Sequence, residues 1–285
     1  MSVFNMKCNK FCCLILFFAI CFVCHSMTIC AQETEQNNAP RFGVFLGVDS
    51  EKLADANEKM DAYDIIVIDA QQFSSAQIRQ WKSEGKTVYS YLNVGSLETY
   101  RAYYQKYQQY ALAPYEHWKD EYWMDVSQKS WQKNICKIGK KLSKKGVDGF
   151  FLDNTDVYYL YPKTEIYEGL IAMIKGLGNY TDTLIINGGD VFVKQLIKNK
   201  QASLISGVCQ ESVFSQIIDY EKNIFRKQQK SSTNYYKKYL NRCKKAGLDV
   251  YLIEYTRDKK LRRNAEKYCA RKGYGIYVSS TVGLD

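Results

Sequence analysis

Carboxylates gather directly behind an apolar run near the middle of the chain. The run GFFL at 149–152 has the composition of a buried strand, and Asp153, Asn154 and Asp156 follow it at once. Removing unpaired carboxylates from water is costly, so these acids should face a polar site. Glu211 follows another apolar run in the same way. Two carboxyl groups that flank one bond are what glycoside cleavage requires, because one gives a proton and the other supports the reacting sugar carbon or its water.

Eight apolar runs could position these acids, and amphipathic stretches alternate with them. The runs lack polar alternation, which is typical of parallel strands buried on both faces. Trp131, Ile135, Ile138 and Leu142 repeat at helical spacing between two of the runs. The pattern predicts an α/β fold, a single (β/α)8 TIM barrel over residues 41–285. The runs lie at 42–48, 63–69, 86–94, 149–153, 183–188, 203–211, 249–255 and 273–280.

An open doubly wound sheet is the alternative fold for the same alternation of strands and helices. That fold more usually has a glycine-rich phosphate turn after its first strand, and the turn GVDSEK at 47–52 has no GxGxxG pattern. The barrel is therefore the favoured fold.

In such a barrel the carboxyl ends of the strands form one shared mouth. Asp153 ends the fourth strand and Glu211 the sixth, so both can point inward in one layer. Neighbouring strands lie about 4.8 Å apart, which brings carboxyls on next-but-one strands into glycosidase range. We predict Asp153 and Glu211 as the catalytic pair, and leave open which is the acid and whether the reaction retains or inverts the anomeric configuration. The predicted substrate-binding residues, also at strand ends, are Asp69, Tyr91, Asn154, Asp156, Asn187, Glu254 and Tyr255.

Some of these residues have structural alternatives. Asp69 could be a hydrogen-bonding group that closes its strand. Asn187 could satisfy only loop amides, and Glu211 could pair with a lysine.

The first forty residues differ from the rest of the chain. Residues 1–10 carry two lysines, 11–31 are apolar without a formal charge, and 32–40 are polar. This order predicts a secretory signal peptide or an uncleaved signal anchor at 1–31, followed by a polar linker at 32–40. The protein is therefore expected to be secreted or extracytoplasmic, with an uncleaved anchor as its only membrane contact.

Cysteine, histidine and charge restrict the chemistry further. Six of the ten cysteines lie in the leader, and Cys136, Cys209, Cys243 and Cys269 form no CxxC or Cys/His cluster. A Cys243–Cys269 bridge stays open, although four separate thiols are favoured. We expect no metal site, no cofactor and, with two histidines, no His-based catalysis. The formal charge of +10 is spread over lysine-rich helical surfaces. We expect a monomer without a nucleic-acid partner, while contact with an anionic cell envelope stays open.

Several segments, taken in order, resemble glycoside hydrolase family 114, the endo-α-1,4-polygalactosaminidase-like TIM-barrel proteins. They include YDIIVID, GKTVYSYLNVGSLETYR, HWKDEYWMDVSQKSWQ, GVDGFFLDNTDVY, LIINGG and VCQESVF, and the resemblance covers roughly residues 41–281. It implies hydrolysis within a galactosamine-containing exopolysaccharide, with the catalytic carboxylates at Asp153 and Glu211. The family commonly has an acid after the glycine of YLxVG. Ser96 stands there instead, while Glu98 and Arg101 fit.

The leading hypothesis is an exported hydrolase that cleaves internal bonds of an amino-sugar polysaccharide. The net positive charge is unusual for a polycationic substrate, but local acids such as Asp69, Asp156 and Glu254 could hold ammonium groups, because short-range pairs outweigh distant screened charge. Two alternatives remain. One is a catalytically weak glycan-binding barrel, and the other is a metal-assisted lyase or isomerase with Asp153, Asp156 and Glu254 as oxygen ligands.

Overall fold

A computed structural model describes residues 40–49, 51 and 53–285. The predicted leader and nearly all of the predicted linker lie outside these residues. The described residues contain thirteen strands: β1 (Phe42–Phe45), β2 (Ile65–Ile68), β3 (Thr87–Asn93), β4 (Ser96–Glu98), β5 (Ala111–Pro114), β6 (Glu121–Met124), β7 (Gly149–Asp153), β8 (Leu184–Asn187), β9 (Gly207–Glu211), β10 (Ser215–Asp219), β11 (Ile224–Lys227), β12 (Asp249–Tyr255) and β13 (Gly275–Ser279).

Nine α-helices lie in the same part of the chain. They are α1 (Leu53–Met60), α2 (Ser75–Ser83), α3 (Tyr104–Tyr107), α4 (Lys129–Lys145), α5 (Val157–Leu160), α6 (Thr164–Leu177), α7 (Asp190–Lys198), α8 (Lys230–Lys245) and α9 (Lys259–Lys272). Short 3-10 helices lie at Gln108–Tyr110 and Ala202–Leu204.

Eight strands form one parallel sheet in the order β1-β2-β3-β7-β8-β9-β12-β13, and its two end strands lie in contact. Each of these strands falls inside one of the eight predicted runs. The predicted (β/α)8 barrel is therefore confirmed.

The interior of the barrel is packed with rings. The ring centroid of Phe42 lies 4.6 Å from that of Tyr251 and 6.3 Å from that of Phe151. Strands β7 and β12 are not neighbours of β1 in the sheet, so these contacts cross the barrel interior. The barrel is therefore a filled core with an open mouth, as expected for this fold.

Helix α4 illustrates how the outer layer is set by sequence. Trp131, Ile135, Ile138 and Leu142 are all buried, as the helical spacing predicts. The helix ends at Gly146, whose φ of 102° is a left-handed conformation that glycine adopts without steric cost. No helix in the described part of the chain is long and apolar enough to span a membrane.

Two insertions depart from the simple repeat and were not predicted. Between β3 and β7, strands β4, β6 and β5 form a small antiparallel sheet. Between β9 and β12, strands β10 and β11 form an antiparallel hairpin. Side chains from both insertions line the cavity at the barrel mouth.

The four cysteines among the described residues are free thiols. Cys209, Cys243 and Cys269 are buried and Cys136 is partly buried.

Candidate active site

A cavity of about 640 Å³ opens at the carboxyl ends of the barrel strands. Seven of the charged residues that line the cavity are acids, and two, Arg101 and Lys119, are bases. The cavity is therefore acidic although the whole chain carries +10. The acids are Asp69, Glu98, Asp120, Glu121, Asp153, Asp156 and Glu211.

Asn187 at the end of β8 joins the two predicted catalytic residues. Its Nδ2 donates a hydrogen bond of 3.0 Å to Asp153 Oδ1 and one of 2.7 Å to Glu211 Oε1. Strand β8 lies between β7 and β9, which places the bridging amide between the two acids. The structure thus brings Asp153 and Glu211 together across one side chain, and Asn187 is engaged by them rather than by loop amides.

The electrostatics of the pair differ from those of exposed acids. Burial raises the pKa of Asp153 well above its usual range, and the negative charge of Glu211 raises it further. Tyr255 donates from its phenol oxygen to Glu211 Oε2 over 2.6 Å, so both oxygens of Glu211 accept hydrogen bonds. The negative charge of Glu211 therefore favours the protonated form of Asp153.

The chain turns sharply after each acid. Asn154, directly behind Asp153, has φ 64°, and Ser212, directly behind Glu211, has φ 56°. Non-glycine residues rarely adopt this left-handed conformation, which is found disproportionately at functional sites. The turns let both strands end at the mouth with their acids facing the cavity.

Asp156 lines the cavity beside the predicted catalytic pair. Its Oδ2 accepts a 2.9 Å hydrogen bond from the backbone N–H of Gly189, and burial raises its pKa to about 6. A Cβ on Gly188 would lie 2.7 Å from Asp156 Oδ2, and one on Gly189 would lie 1.8 Å from Thr155 Oγ1. Both glycines also have positive φ. This turn therefore favours glycine because a side chain would clash there and because glycine adopts positive φ without strain.

Asp69 belongs to a buried ion-pair group on another side of the cavity. Arg101 Nη1 lies 2.6 Å from Asp69 Oδ2, and Arg101 Nη2 lies 2.8 Å from Glu98 Oε1. All three side chains are at most 8% exposed. Asp69 therefore has a structural partner and also lines the cavity.

A polar network connects this wall to Asp153. Glu121 Oε1 accepts hydrogen bonds from Asn93 Nδ2 at 2.8 Å, from Asn154 Nδ2 at 2.9 Å and from the Ser96 hydroxyl. Asn93 is paired in register with Asp153 on the neighbouring strand. Ser96, where the family commonly has an acid, therefore contacts the carboxylate of Glu121.

Comparison with known proteins decides the family. The family model of glycoside-hydrolase family GH114 matches residues 28–282. The chain belongs to family GH114. It is therefore a member of a glycoside-hydrolase family, and the resemblance seen in the sequence is confirmed. No curated protein matches the chain in sequence.

Solved structures of low sequence identity share the barrel. The glycoside hydrolase domain of PelA from Pseudomonas aeruginosa is 22% identical with a TM-score of 0.68, over 86% of this chain and 96% of that chain. Ega3 of Aspergillus fumigatus, solved in complex with galactosamine, is 14% identical with a TM-score of 0.63, over 89% and 95%. The α-galactosidase TtGalA of Thermus thermophilus is 11% identical with a TM-score of 0.56, over 83% and 57%.

Of the site residues predicted for this GH114 chain, Asp69, Tyr91, Asp153, Asn154, Asp156, Asn187, Glu211 and Tyr255 all line the cavity. Glu254 does not line it and is 1% exposed. Its carboxylate accepts hydrogen bonds from the backbone N–H groups of Val213, Phe214 and Ser215, and from the Ser215 hydroxyl. We therefore correct its assignment from substrate binding to anchoring the loop behind Glu211.

The position of Glu254 follows from strand geometry. Ile253 and Tyr255 on either side of it line the cavity, and successive side chains of a strand point to opposite faces. The same alternation in the sequence could have excluded Glu254 from the mouth. The position of Glu254 outside the cavity also removes one of the three oxygen ligands that the metal-assisted alternative requires.

We predict that Glu254→Gln destabilises the folded protein. Burial raises the pKa of Glu254 to about 7, and its two oxygens together accept from three N–H groups and one hydroxyl. A glutamine NH₂ would face at least two of these donors, which should lower the free energy of unfolding by about 1–3 kcal/mol. Urea unfolding measures the effect.

The matched control is Glu168→Gln, which removes an exposed carboxylate on α6. It should leave the unfolding midpoint within error. Equal midpoints for both variants would contradict the anchoring role of Glu254.

Sequence reasoning missed the cavity wall supplied by the first insertion. Glu121, Tyr115 and Trp118 line the cavity, and the Tyr115 ring stacks on Trp123 with centroids 4.4 Å apart. For Glu98 and Arg101 the sequence indicates only a fit to the family pattern. The segment EYWM at 121–124 has strand composition, but nothing local indicates that it pairs with β4.

Proposed function

We propose that this GH114 chain is an exported hydrolase that cleaves internal bonds of a galactosamine-containing polysaccharide. The observation that carries the proposal is the bridging amide of Asn187, which holds Asp153 and Glu211 as one pair at the mouth of the barrel. Two carboxyl groups held close together in a cavity are what glycoside hydrolysis needs. We further propose that the protein acts as a monomer.

The charge of the cavity supports an amino sugar as substrate. Seven acids and two bases line the cavity, and one of the bases, Arg101, is already paired with two of the acids. A protonated amino group is therefore favoured there over a neutral or anionic substituent. That Ega3 was solved in complex with galactosamine is consistent with this substrate class.

The same geometry leads to a mechanism with two carboxylates. One acid of the pair donates its proton to the oxygen of the leaving sugar while the bond from that oxygen to the anomeric carbon breaks. The other, as a carboxylate, forms a bond to the anomeric carbon. Water, deprotonated by the first residue, then displaces the carboxylate and restores the pair. Asn187 orients both groups, and Tyr255 holds the second oxygen of Glu211.

We predict that the reaction retains the anomeric configuration. Asn187 Nδ2 lies 3.0 Å from Asp153 Oδ1 and 2.7 Å from Glu211 Oε1. The distance between those two oxygens therefore cannot exceed the sum of these two distances. Inverting enzymes hold their carboxyl groups about 6.5–9.5 Å apart to fit a water, whereas retaining enzymes hold them about 5–5.5 Å apart. Proton NMR of the first-formed products should show the anomer of the substrate linkage, and the opposite anomer would contradict the prediction.

Digestion of galactosaminoglycan tests the proposed function. The purified protein is incubated with deacetylated and with partly acetylated polymer, and product sizes are followed from the first minutes. Internal cleavage should lower the mean chain length early and yield short oligosaccharides. Release of monosaccharide alone would contradict internal cleavage. An intact polymer that nevertheless binds the protein would favour the glycan-binding alternative.

The domain boundaries are part of the same proposal. Residues 1–31 are proposed as the export signal, 32–40 as the linker and 41–285 as the catalytic domain. N-terminal sequencing of protein recovered from outside the producing cells tests the first of these. A cleaved leader gives a start near residue 32, and the intact N-terminus in the membrane fraction would indicate the signal anchor.

A further inference from the structure

Two acids lie directly opposite each other in the small antiparallel sheet. Glu98 on β4 is paired in register with Glu121 on β6. The two residues are 4% and 8% exposed, and both line the cavity. Like charges directly opposite in an antiparallel pair are destabilising, and burial increases the cost. The pair therefore needs a compensating positive charge.

Arg101 compensates only part of this charge. It forms ion pairs with Glu98 and also with Asp69, so it balances one of two carboxylates. No ion pair reaches Glu121 from the described residues. Three carboxylates and one guanidinium leave this wall with an excess of negative charge. Burial raises the pKa of Glu121 above its usual range, and the negative charge of Glu98 raises it further.

The hydrogen bonds leave an oxygen unused on each acid. Arg101 donates to Glu98 Oε1, whereas Glu98 Oε2 is buried without a partner. Glu121 uses Oε1 for its three donors, and its Oε2 accepts no hydrogen bond within the described chain. Buried acceptors such as Glu98 Oε2 normally find a donor, and an ammonium group, which carries a positive charge and three donors, matches the two unused oxygens.

We propose that Glu98 and Glu121 form a subsite for the protonated amino group of a sugar bound beside the Asp153–Glu211 pair. Its place follows from Asn154, which directly succeeds Asp153 and donates to Glu121 Oε1 at 2.9 Å. The proposal rests on the proposed function and specifies how the substrate would be recognised. The subsite selects free amines against acetylated or unsubstituted sugars, and it acts on binding rather than on bond cleavage.

Binding of two monosaccharides tests the subsite without turnover. The full-length protein is titrated with D-galactosamine and with galactose at mildly acidic pH and in EDTA, and binding is followed by NMR. Wild type should bind the amine at least about 10-fold more tightly, a difference of about 1.4 kcal/mol, because hydrogen bonds between charged groups are stronger than those between neutral groups. Glu121→Gln should remove most of that preference and leave galactose affinity unchanged. The variant keeps one oxygen for the three donors of Glu121.

Glu98→Gln is the second variant, and Glu168→Gln on the exposed face of α6 is the control. Melting temperatures confirm that each variant is folded. Loss of the amine preference in both cavity variants, but not in the control, supports the subsite. An unchanged preference in both, or a wild type without any preference, would overturn it. A wild type that prefers the amine but cleaves no galactosamine polymer would refute the proposed function and leave the subsite standing.

Discussion

Asp153→Asn and Glu211→Gln should each lower kcat on the polysaccharide by about 10²- to 10⁴-fold, the range expected when a positioned acid or base is lost. Each substitution keeps the size of the side chain but removes the group that exchanges a proton or attacks the sugar carbon. Asn187 can still contact the remaining acid, so substrate affinity should change much less than kcat. Initial rates on galactosaminoglycan, with binding measured in parallel, separate the two effects.

Glu168→Gln again serves as the control, because it removes an exposed carboxylate that does not line the cavity. It should leave kcat unchanged. Full activity of either site variant would exclude the proposed pair.

The coupling of the pair also predicts a change in titration. Burial and the charge of Glu211 both raise the pKa of Asp153, so Glu211→Gln should lower that pKa by removing the charge. Carbon-13 NMR of the Asp153 carboxyl group measures the shift. In the wild type, kcat/KM should fall as rising pH removes the proton from Asp153, whose pKa is raised, and activity should be highest below the pH of that fall.

Arg101→Met should lower the free energy of unfolding by about 3–5 kcal/mol, the usual result of removing one partner of a buried ion pair. Asp69 and Glu98 would be left as buried carboxylates without a cation, and both are at most 8% exposed as side chains. Methionine fills a similar volume, so the loss would come from charge rather than from a cavity. Urea unfolding monitored by circular dichroism measures the effect.

Arg262→Met is the matched control for this experiment. Arg262 pairs with Glu266 on α9, and the two side chains are 56% and 41% exposed. An exposed helical pair of this kind contributes only about 0.3–0.5 kcal/mol, because water screens it. Equal losses for the two arginine variants would show that Arg101 does not stabilise its two acids.

The sequence by itself was sufficient to predict the barrel and the two central acids. Apolar runs without alternation are a local property of parallel strands buried on both faces, so all eight barrel strands could be placed. The strand ends then placed Asp153 and Glu211 at one mouth, because parallel strands all end on the same side of a barrel. Eight of the nine predicted site residues line the cavity for that reason.

Only the tertiary structure decided which acids act together. Glu98 and Glu121 are 23 positions apart in sequence, and they become neighbours through the register of β4 and β6, which no local pattern records. Glu254 follows an apolar run as Asp153 does, yet it faces the loop at 213–215 because its strand neighbours occupy the cavity. The net charge of +10 does not reveal that the mouth is acidic, because total charge does not depend on where the fold places each side chain.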